Sequence, residues 1–406
     1  MMRAHWLSFL ILVPLSGCNL LLTQYAKSQA PDEDCKPIGE IQIESRSFRS
    51  YSATVYRFPV PDGISSSAIR LTAFNNQGHF AGSARLGLPF TADLYATQPC
   101  QYDFLFDGTT VVFPPYSNTI YPYTAGGMNN YNELLLSGSF NGPLGIPYPR
   151  VLVWQDGLER DLPLPTVDAI YSAVAINDSA TIAGVISYLS TSQIHYQFSG
   201  LLSKPPSYTD HLARWNPTDS GWEFEDLGVP PLNSDDSVTA IEVHGINSVG
   251  HIVGTVWTTA SGPRPFVWSS GEWNLLPLGS TTGGFATAIN DADEVVGIIG
   301  VNHDAAVWIN GQLNTLQESS ANEAYSINNQ GDVVGGPEVA GGAVLWHNGV
   351  ATELNSFLPS DVDFVLTRAM FINDEGQILV LGRPITSSVG DANTILIVLT
   401  PQPSGN

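Results

Sequence analysis

Basic residues are scarce in this chain. Lys and Arg together number 15 against 38 Asp and Glu, and the formal net charge is −23. A surface of that charge repels phosphate backbones and anionic lipid headgroups, which argues against nucleic acid as a partner. An acidic surface is compatible with divalent cations or basic partners, and it also keeps an exported protein soluble.

Charged residues of either sign and helical periodicity are also sparse. Only 13% of residues are charged while 43% are hydrophobic, which excludes a disordered chain. Beyond the N-terminus, no apolar stripe follows the i, i+3, i+4, i+7 spacing of an amphipathic helix. The 38 Gly, 28 Pro and 10% aromatic residues favour many short strands joined by tight turns. The sequence therefore predicts a large all-β unit.

Motifs that carry chemistry are absent as well. The chain contains no HExxH, CxxC or GxSxG, and its three cysteines lack metal-ligand spacing. We therefore predict no metal and no cofactor, and the catalytic residues, if there are any, stay unknown from sequence motifs. Catalytic groups that come together only in the folded chain would leave no such motif.

The N-terminus is the one place with a marked hydrophobic run. Residues 6–15 are mostly apolar, too few to span a bilayer but suited to a signal peptide. Leu15-Ser16-Gly17-Cys18 resembles the lipobox of bacterial lipoproteins, which implies a signal peptide of residues 1–17 and lipidation of Cys18. Residues 18–38 are then a tether.

Two details extend that prediction. Asn19, rather than Asp, follows the cysteine, which favours an outer-membrane lipoprotein facing the periplasm or the cell surface, attached to the membrane through its lipid alone. The alternative is cleavage after Ala30 and secretion. Cys35 and Cys100 are most simply a disulfide in an oxidising compartment.

One unit recurs along the rest of the chain, at spacings between 38 and 70 residues. Each copy contains an asparagine that ends a strand-like run: Asn75, Asn129, Asn177, Asn247, Asn290, Asn328 and Asn373. These spacings are typical of four-stranded propeller blades. We predict one seven-bladed β-propeller over residues 39–406, with six or eight blades as alternatives. The seventh unit lacks a fourth strand, which the unassigned strand at residues 52–63 would supply, closing the ring.

Hairpin signals and aromatic residues repeat in the same register. Two-residue turns between strands are predicted at Asp107-Gly108, Asp156-Gly157, Asn310-Gly311 and Asn348-Gly349. A large ring precedes most such turns: Phe106, Trp154, Trp215, Trp268, Trp308 and Trp346. We interpret these rings as packing between blades rather than as a ligand-binding stripe.

The repeat motif IN-x-x-G-x-V-V-G, followed by an apolar-Trp-x-x-G segment, resembles the bacterial extracellular HAF repeats. The resemblance covers nearly the whole chain after residue 68 and implies an exported, propeller-like protein, with no catalytic residues to carry over. The chain departs from the name-giving His-Ala-Phe triplet, where it has Arg264-Pro265-Phe266 and Ala305-Ala306-Val307.

Long connections between the second and third strands of a blade bring several tyrosines to one face of the predicted propeller. The longest is residues 187–212. The candidate ligand-binding rings are Tyr148, Tyr188, Tyr196 and Tyr208. Tyrosine-rich loops on a rigid scaffold are typical of binding surfaces. The alternative is that these loops only contact one another.

A second candidate site is the mouth of the central channel. Five residues before each repeat asparagine stand Arg70, Thr124, Ser172, Glu242, Phe285, Glu323 and Arg368. Glu242, His244 and Glu323 are the candidate catalytic residues, and Arg70 and Arg368 are candidate ligand-binding residues. The alternative is that they form salt bridges between blades.

The aspartates that follow the repeat asparagines allow a minor calcium hypothesis, at Asp291 and Asp293 above all. Asx side chains also stabilise turns without metal, and we favour that interpretation.

Three hypotheses for the function of the protein follow from these observations. The first is a non-catalytic, lipid-anchored module that binds an envelope protein or glycan. The second is an enzyme acting on a polysaccharide or peptide through the channel mouth. The third is a purely structural envelope protein.

Overall fold

The structure is a computed structural model that describes residues 42–48, 50–57, 67–86, 100–114, 119–141, 147–166, 169–189, 208–316, 323–337, 342–385 and 395–402. These residues form seven antiparallel sheets arranged as a β-propeller. The predicted fold class and blade number are confirmed. The signal peptide, Cys18, the tether and Cys35 lie outside the described residues.

Each blade is a meander that runs outward from the channel. The inner strands are β3 (Ser67–Phe74), β7 (Thr119–Met128), β11 (Ala169–Ile176), β15 (Val238–Ile246), β19 (Gly284–Ile289), β23 (Glu323–Ile327) and β27 (Phe364–Ile372). The second strands are β4 (Phe80–Leu86), β8 (Leu134–Asn141), β12 (Ile182–Leu189), β16 (Ile252–Thr258), β20 (Val295–Ile299), β24 (Val333–Gly336) and β28 (Ile378–Pro384).

The outer half of each blade is formed by two further strands. The third strands are β5 (Cys100–Phe106), β9 (Pro147–Gln155), β13 (Tyr208–Thr218), β17 (Gly262–Ser269), β21 (Asp304–Ile309), β25 (Val344–His347) and β29 (Ile395–Pro401). The outer strands of blades one to six are β6 (Val111–Val112), β10 (Leu158–Asp161), β14 (Gly221–Gly228), β18 (Glu272–Leu275), β22 (Gln312–Thr315) and β26 (Val350–Glu353).

Helical structure in the described residues is limited to a short 3₁₀ turn at Leu354–Phe357. No helix in that part of the chain is long and apolar enough to cross a membrane.

Blade seven is completed by the N-terminal segment, as predicted. Strand β2 (Tyr51–Arg57) pairs antiparallel with β29, and Val55 of β2 is completely buried. The sequence did not predict the additional strand β1 (Gln42–Ser47), which lies outside β2 and makes this sheet five-stranded. Closure removes two sheet edges that would otherwise be free to pair with other chains.

The repeat asparagines form a closed ring of hydrogen bonds. The Nδ2 of each donates to the backbone carbonyl of the next blade's asparagine, and the seventh, Asn373, donates to Asn75 at 2.9 Å. The Oδ1 accepts from backbone N–H groups of its own turn, as Asn290 does from Ala292 and Glu294. All seven are buried, with 3–6% of their surface exposed. One side chain per blade therefore fixes a turn and also joins two blades.

The repeat glycine is explained by a close approach inside each blade. In Gly297 an added Cβ would lie 1.9 Å from the carbonyl oxygen of Phe285, beside a β-bulge between Ala286 and Ala288. The same contact recurs in four other blades at 1.9–2.3 Å. No side chain fits there, because the bulge directs an inner-strand carbonyl onto the second strand.

Three of the four predicted hairpin turns are confirmed by positive φ at both central residues, for example 52° at Asn310 and 72° at Gly311. The prediction at Asp107-Gly108 was wrong. Phe106 pairs with Val111, so the connection is longer than two residues. The Asp107 Oδ1 accepts the N–H groups of Thr109 and Thr110 and thereby closes the turn itself.

The predicted packing role of the tryptophans is confirmed. Trp215, Trp308 and Trp346 are among the largest fully buried side chains. Trp308 Nε1 also donates to the carbonyl of Pro277 at 2.8 Å. These rings lie in the hydrophobic clusters between and within blades, so they are not available to a ligand.

The asparagine ring makes a testable contribution to stability. We expect Asn290→Ala to lower the free energy of unfolding by about 2–4 kcal/mol, because it leaves buried backbone groups without partners. Chemical denaturation would measure the change. Asn314→Ala, on an exposed strand of the same blade, is the matched control and should cost far less. Equal effects of the two substitutions would show that the ring does not stabilise the fold.

Asp103 predicts a specific pH dependence. Its side chain is completely buried on β5, and burial raises the pKa of this carboxyl to about 7, although the Ala125 N–H donates to it. The carboxyl is therefore protonated in the folded chain and ionised in the unfolded chain between pH 3.8 and about 7. Its contribution to stability is full below the unfolded value and is lost as the pH rises to about 7, by ~4 kcal/mol in all.

We expect Asp103→Asn to abolish that loss, so that the variant gains stability relative to wild type as the pH rises from 4 to 8. Urea unfolding at each pH measures the difference. Asp156→Asn, in an exposed turn whose equivalents are asparagine, is the control and should track wild type. A constant difference between Asp103→Asn and wild type across the range would contradict the prediction.

Candidate functional site

The propeller has two dissimilar faces. The turns between first and second strands, with the ring asparagines, lie on one face, which we call the turn face. The connections between second and third strands lie on the opposite face, which we call the long-loop face. In blade three, β12 ends at Leu189 and β13 begins at Tyr208, so the longest connection is on the long-loop face.

The channel-mouth residues lie on the inner strands, but their side chains differ in exposure. Arg70, Thr124, Ser172 and Glu242 are exposed, Phe285 and Arg368 are half-buried, and Glu323 is only 6% exposed. The ring predicted from the spacing is therefore incomplete, because Glu323 is directed toward a neighbouring blade.

Glu242 and His244 lie close together on β15. His244 Nε2 lies 3.8 Å from Glu242 Oε2, with both side chains partly exposed. His244 Nδ1 donates to the carbonyl of Ala286 in blade five at 2.6 Å. Thr287 makes the equivalent bond from blade five to Ala324 of blade six. His244 thus joins two blades through a hydrogen bond to the backbone, whereas its ion pair with Glu242 lies within one strand.

Glu323 belongs to a separate group at the seam of blades five and six. Its carboxylate accepts a hydrogen bond from the Tyr325 hydroxyl and lies 2.7 Å from His303 Nδ1. His303 is in the turn between β20 and β21, has a φ of 58° and is 42% exposed at its side chain. Sequence reasoning missed His303, because its contact with Glu323 depends on how two blades meet.

A third group lies on blade three, beside the longest connection. The Tyr188 hydroxyl donates to Asp226 Oδ2 at 2.8 Å, and His211 Nδ1 lies 3.0 Å from both carboxylate oxygens. The Tyr188 and His211 rings are in edge-to-face contact, with centroids 5.1 Å apart. We call Tyr188, Tyr208, His211 and Asp226 the blade-three cluster.

Burial and hydrogen bonding set the protonation of this cluster. Burial tends to raise the pKa of Asp226, but hydrogen bonds from Tyr188, Gly228 and His211 outweigh it and hold the pKa below its ordinary value. Burial, and then the bond to Asp226, raise the pKa of Tyr188 to about 12. The cluster therefore contains an ionised carboxylate and a neutral phenol, and His211 Nδ1 donates its proton to the carboxylate.

The other predicted ligand-binding residues are placed as follows. Tyr208 begins β13 and is 40% exposed. Tyr148 lies in β9, although its side chain is not among those described, and Tyr196 lies outside the described residues. Sequence reasoning missed His211 and Asp226. These two residues lie on the paired strands β13 and β14. Their proximity could be inferred only once the register of that pairing was known.

The cysteine and calcium hypotheses are constrained only in part. Cys100 begins β5, and its pairing with Cys35 stays a prediction.

Asp293 Oδ1 accepts a hydrogen bond from Asn247 Nδ2 and lies 2.7 Å from His251 Nδ1. Asp291 accepts from the Ser248 N–H and from Asn329 Nδ2. These bonds account for both aspartates as turn and interblade residues. Among the described residues, no group of three or more His, Cys, Asp or Glu side chains could hold a metal ion.

The turn face contains a cavity of about 250 Å³ at the end of the channel. Two layers of residues surround it, one from each side of the asparagine ring. The inner layer is Phe74, Met128, Ile176, Ile246, Ile289, Ile327 and Ile372. The outer layer, which we call the rim, is Asn76, Asn130, Asp178, Ser248, Asp291, Asn329 and Asp374.

The rim residues are joined in a second belt of hydrogen bonds. In six links the backbone N–H of one rim residue donates to the side-chain oxygen of the next. The link from Asp178 to Ser248 lacks this bond among the described residues, because the serine side chain is too short to reproduce it. These residues repeat visibly along the sequence, but nothing in their spacing indicates that they surround a cavity.

No protein-family model and no curated protein matches the chain. Solved structures that resemble it include a virginiamycin B lyase from Staphylococcus aureus, with a TM-score of 0.44, 10% identity and coverage of 86% of this chain and 100% of that one. A gluconolactonase from Xanthomonas campestris has a TM-score of 0.38 at 9% identity, covering 90% and 99%. The β-propeller domain of the Trilobed protease from Pyrococcus furiosus, which has an open velcro topology, has a TM-score of 0.35 at 10% identity, covering 69% and 96%. At these values the likeness carries no argument about function.

Proposed function

We propose that the protein is an exported, lipid-anchored propeller that acts as a non-catalytic binding module for an envelope protein or a glycan. The observation that supports a binding role is the blade-three cluster. Its phenol, imidazole and carboxylate are held in fixed positions on the three neighbouring strands β12, β13 and β14, beside the longest connection of the chain.

The chemistry of the cluster suits recognition of a polar ligand. Tyrosine offers a rigid amphipathic ring at low entropic cost, and Tyr208 is exposed. Asp226 orients both Tyr188 and His211 before any ligand arrives, so less conformational entropy is lost on binding. Within the part of the chain that the structure describes, the hydrogen bonds of His211 use Nδ1 alone, which leaves Nε2 for a ligand.

Binding is favoured over catalysis because the three candidate catalytic side chains belong to two separate groups. Glu242 lies with His244, whose Nδ1 is occupied by a blade-to-blade bond. Glu323 instead lies with His303 and Tyr325.

The enzyme alternative is favoured by one observation, the position of His303. A carboxylate that contacts the Nδ1 of a histidine orients the ring, and that is how a general base is held in many active sites. The buried Glu323 does this for a partly exposed imidazole. A hydrolytic activity on a polysaccharide or peptide would therefore be centred on His303.

The proposal predicts that ligand retention depends on the blade-three cluster. We expect the double variant Tyr208→Ala/His211→Ala to lose about tenfold or more in affinity for glycans that wild type retains on an array, because it removes the exposed ring and imidazole. Titration calorimetry with the retained glycan would measure the loss. Tyr131→Ala, on the turn face and 63% exposed in wild type, is the matched control.

A wild-type protein that retains no glycan and no envelope protein would contradict the binding role and favour the structural alternative. Equal losses in the double variant and the Tyr131→Ala control would place binding elsewhere. Recovery of the glycan as shorter fragments, abolished by His303→Ala, would instead support the enzyme alternative.

The proposed attachment to a membrane through a lipid is tested separately. We expect Cys18→Ser to block lipid attachment and to move the protein from the membrane fraction into a soluble or unprocessed form. Incorporation of labelled palmitate in a bacterial host measures attachment. Cys100→Ser is the control for loss of a thiol. Equal labelling of wild type and Cys18→Ser would contradict the lipoprotein prediction and favour the secreted alternative.

A further inference from the structure

We infer that the protein forms a two-fold symmetric dimer in which strand β1 of one copy pairs antiparallel with β1 of a second copy. The inference goes beyond the proposed function and does not depend on it. It rests on two properties of β1. Its outer edge is covered by no other strand of the described residues, and its charges are arranged so that the strand is complementary to itself.

The outer edge of β1 is accessible. Strand β1 is the last strand of the five-stranded sheet of blade seven, and all six of its residues pair with β2 on the inner side. Five of the six are exposed, and Arg46 is half-buried. Nothing in the described part of the chain pairs with the outer edge, so the backbone N–H and C=O groups that point away from β2 can accept a further strand.

Two-fold symmetry restricts how two copies of β1 can pair. The axis is perpendicular to the sheet and places one residue opposite its own copy, with the residues on either side of it exchanged. An axis at Ser45 places Glu44 of each copy opposite Arg46 of the other. An axis at Glu44 or at Arg46 places a charge opposite itself. Opposite charges across a strand pair are stabilising and like charges are destabilising, so the register centred on Ser45 is favoured.

The four charged side chains of this register form a ring of alternating sign. Within one strand, Arg46 Nε already lies 2.8 Å from Glu44 Oε1, because residues two apart are on the same face. In the dimer each charge has two neighbours of opposite sign, one along its own strand and one across the pair, and like charges meet only on the diagonals. The Glu44 side chain is 47% exposed, so its carboxylate is accessible to a second guanidinium.

The outer strands of the other blades lack this property. Those of blades one, four, five and six have at most four residues and no basic one. In β10, an axis at Glu159 or at Arg160 places that charge opposite its own copy. All three charged residues of β14 are acidic. Edges whose charges repel a second copy prevent association between sheets. Among the outer strands that the structure describes, only β1 has charges that attract one.

The expected dimer is weak. A pair of six-residue strands is small beside the ~1,200–2,000 Å² of a standard interface. Two copies with a net charge of −23 also repel one another. At about 0.15 M ionic strength the Debye length is about 8 Å, so repulsion between distant charges is screened more than attraction between partly buried charges in contact. Dimerisation should therefore depend on protein concentration and should increase as salt is raised from low ionic strength.

Antiparallel pairing also determines how the two propellers are oriented. The strands of a blade run between the turn face and the long-loop face, so the pairing turns one propeller over relative to the other. The dimer therefore presents a long-loop face, with its blade-three cluster, on each of its two sides.

Sedimentation velocity of the full chain over a range of concentrations, at about 0.15 M ionic strength, tests the inference. We expect a monomer–dimer equilibrium for wild type. Glu44→Arg places arginine opposite arginine in both cross-strand pairs and should raise the dissociation constant of the dimer by about tenfold. Glu272→Arg, at an exposed position on the outer strand of blade four, makes the same change of charge and should dimerise as wild type does.

An exchange of charges distinguishes this interface from any other. Arg46→Glu should weaken the dimer as Glu44→Arg does, and the double variant Glu44→Arg/Arg46→Glu should restore it. A mixture of the two single variants should form heterodimers, because one copy supplies two arginines and the other two glutamates. Thermal unfolding controls for Arg46→Glu, since Arg46 also lies 3.7 Å from Asp363. If that variant does not fold, Glu44→Arg and its control Glu272→Arg decide the question.

A wild-type chain that stays monomeric at every concentration would overturn the inference. So would a dimer that Glu44→Arg leaves as stable as wild type, because the contact would then lie on another surface. Two folded single variants that do not associate with each other would refute the register. None of these outcomes affects the blade-three prediction, since that test measures glycan binding by residues of another blade.

Discussion

The hydrogen bonds of one buried asparagine per blade are the constraint on which the propeller depends. The Oδ1 of this side chain satisfies the N–H groups of its own turn, and Nδ2 satisfies the carbonyl of the next blade. An aspartate could perform the first task but has no proton for the second. An alanine could perform neither. The requirement for both a donor and an acceptor in a short side chain explains why asparagine occupies all seven positions.

The sequence was sufficient to predict the architecture, because the features that define it are periodic. The asparagine spacing predicted seven blades, and the missing fourth strand of the last unit predicted closure by the N-terminal segment. The function of the asparagine was only half predicted. Asx turn chemistry is local and visible in sequence, whereas the bond to the next blade joins residues such as Asn177 and Asn247, which are 70 positions apart.

The candidate site was less predictable for the same reason. Glu323 was found from its position in the repeat and Tyr188 from its place in the longest connection, but their partners His303 and Asp226 were not found. Those contacts depend on strand register and on how neighbouring blades meet, and the connections that set them vary in length from blade to blade. The burial of Glu323 and of Asp103 could not be predicted from the sequence either. A carboxylate in a strand is expected to face solvent unless the packing of the neighbouring blade is known.

The pairing of β2 with β29 has a consequence for the order in which the molecule assembles. Strand β2 is synthesised before blades one to six and β29 after them, so β2 can pair with β1 early but its other edge has no partner until β29 has been made. Blades one to six are contiguous in sequence and can each form as their own residues emerge. Ring closure therefore follows the synthesis of blades one to six, and until then the free edge of β2 must be kept from pairing with other molecules.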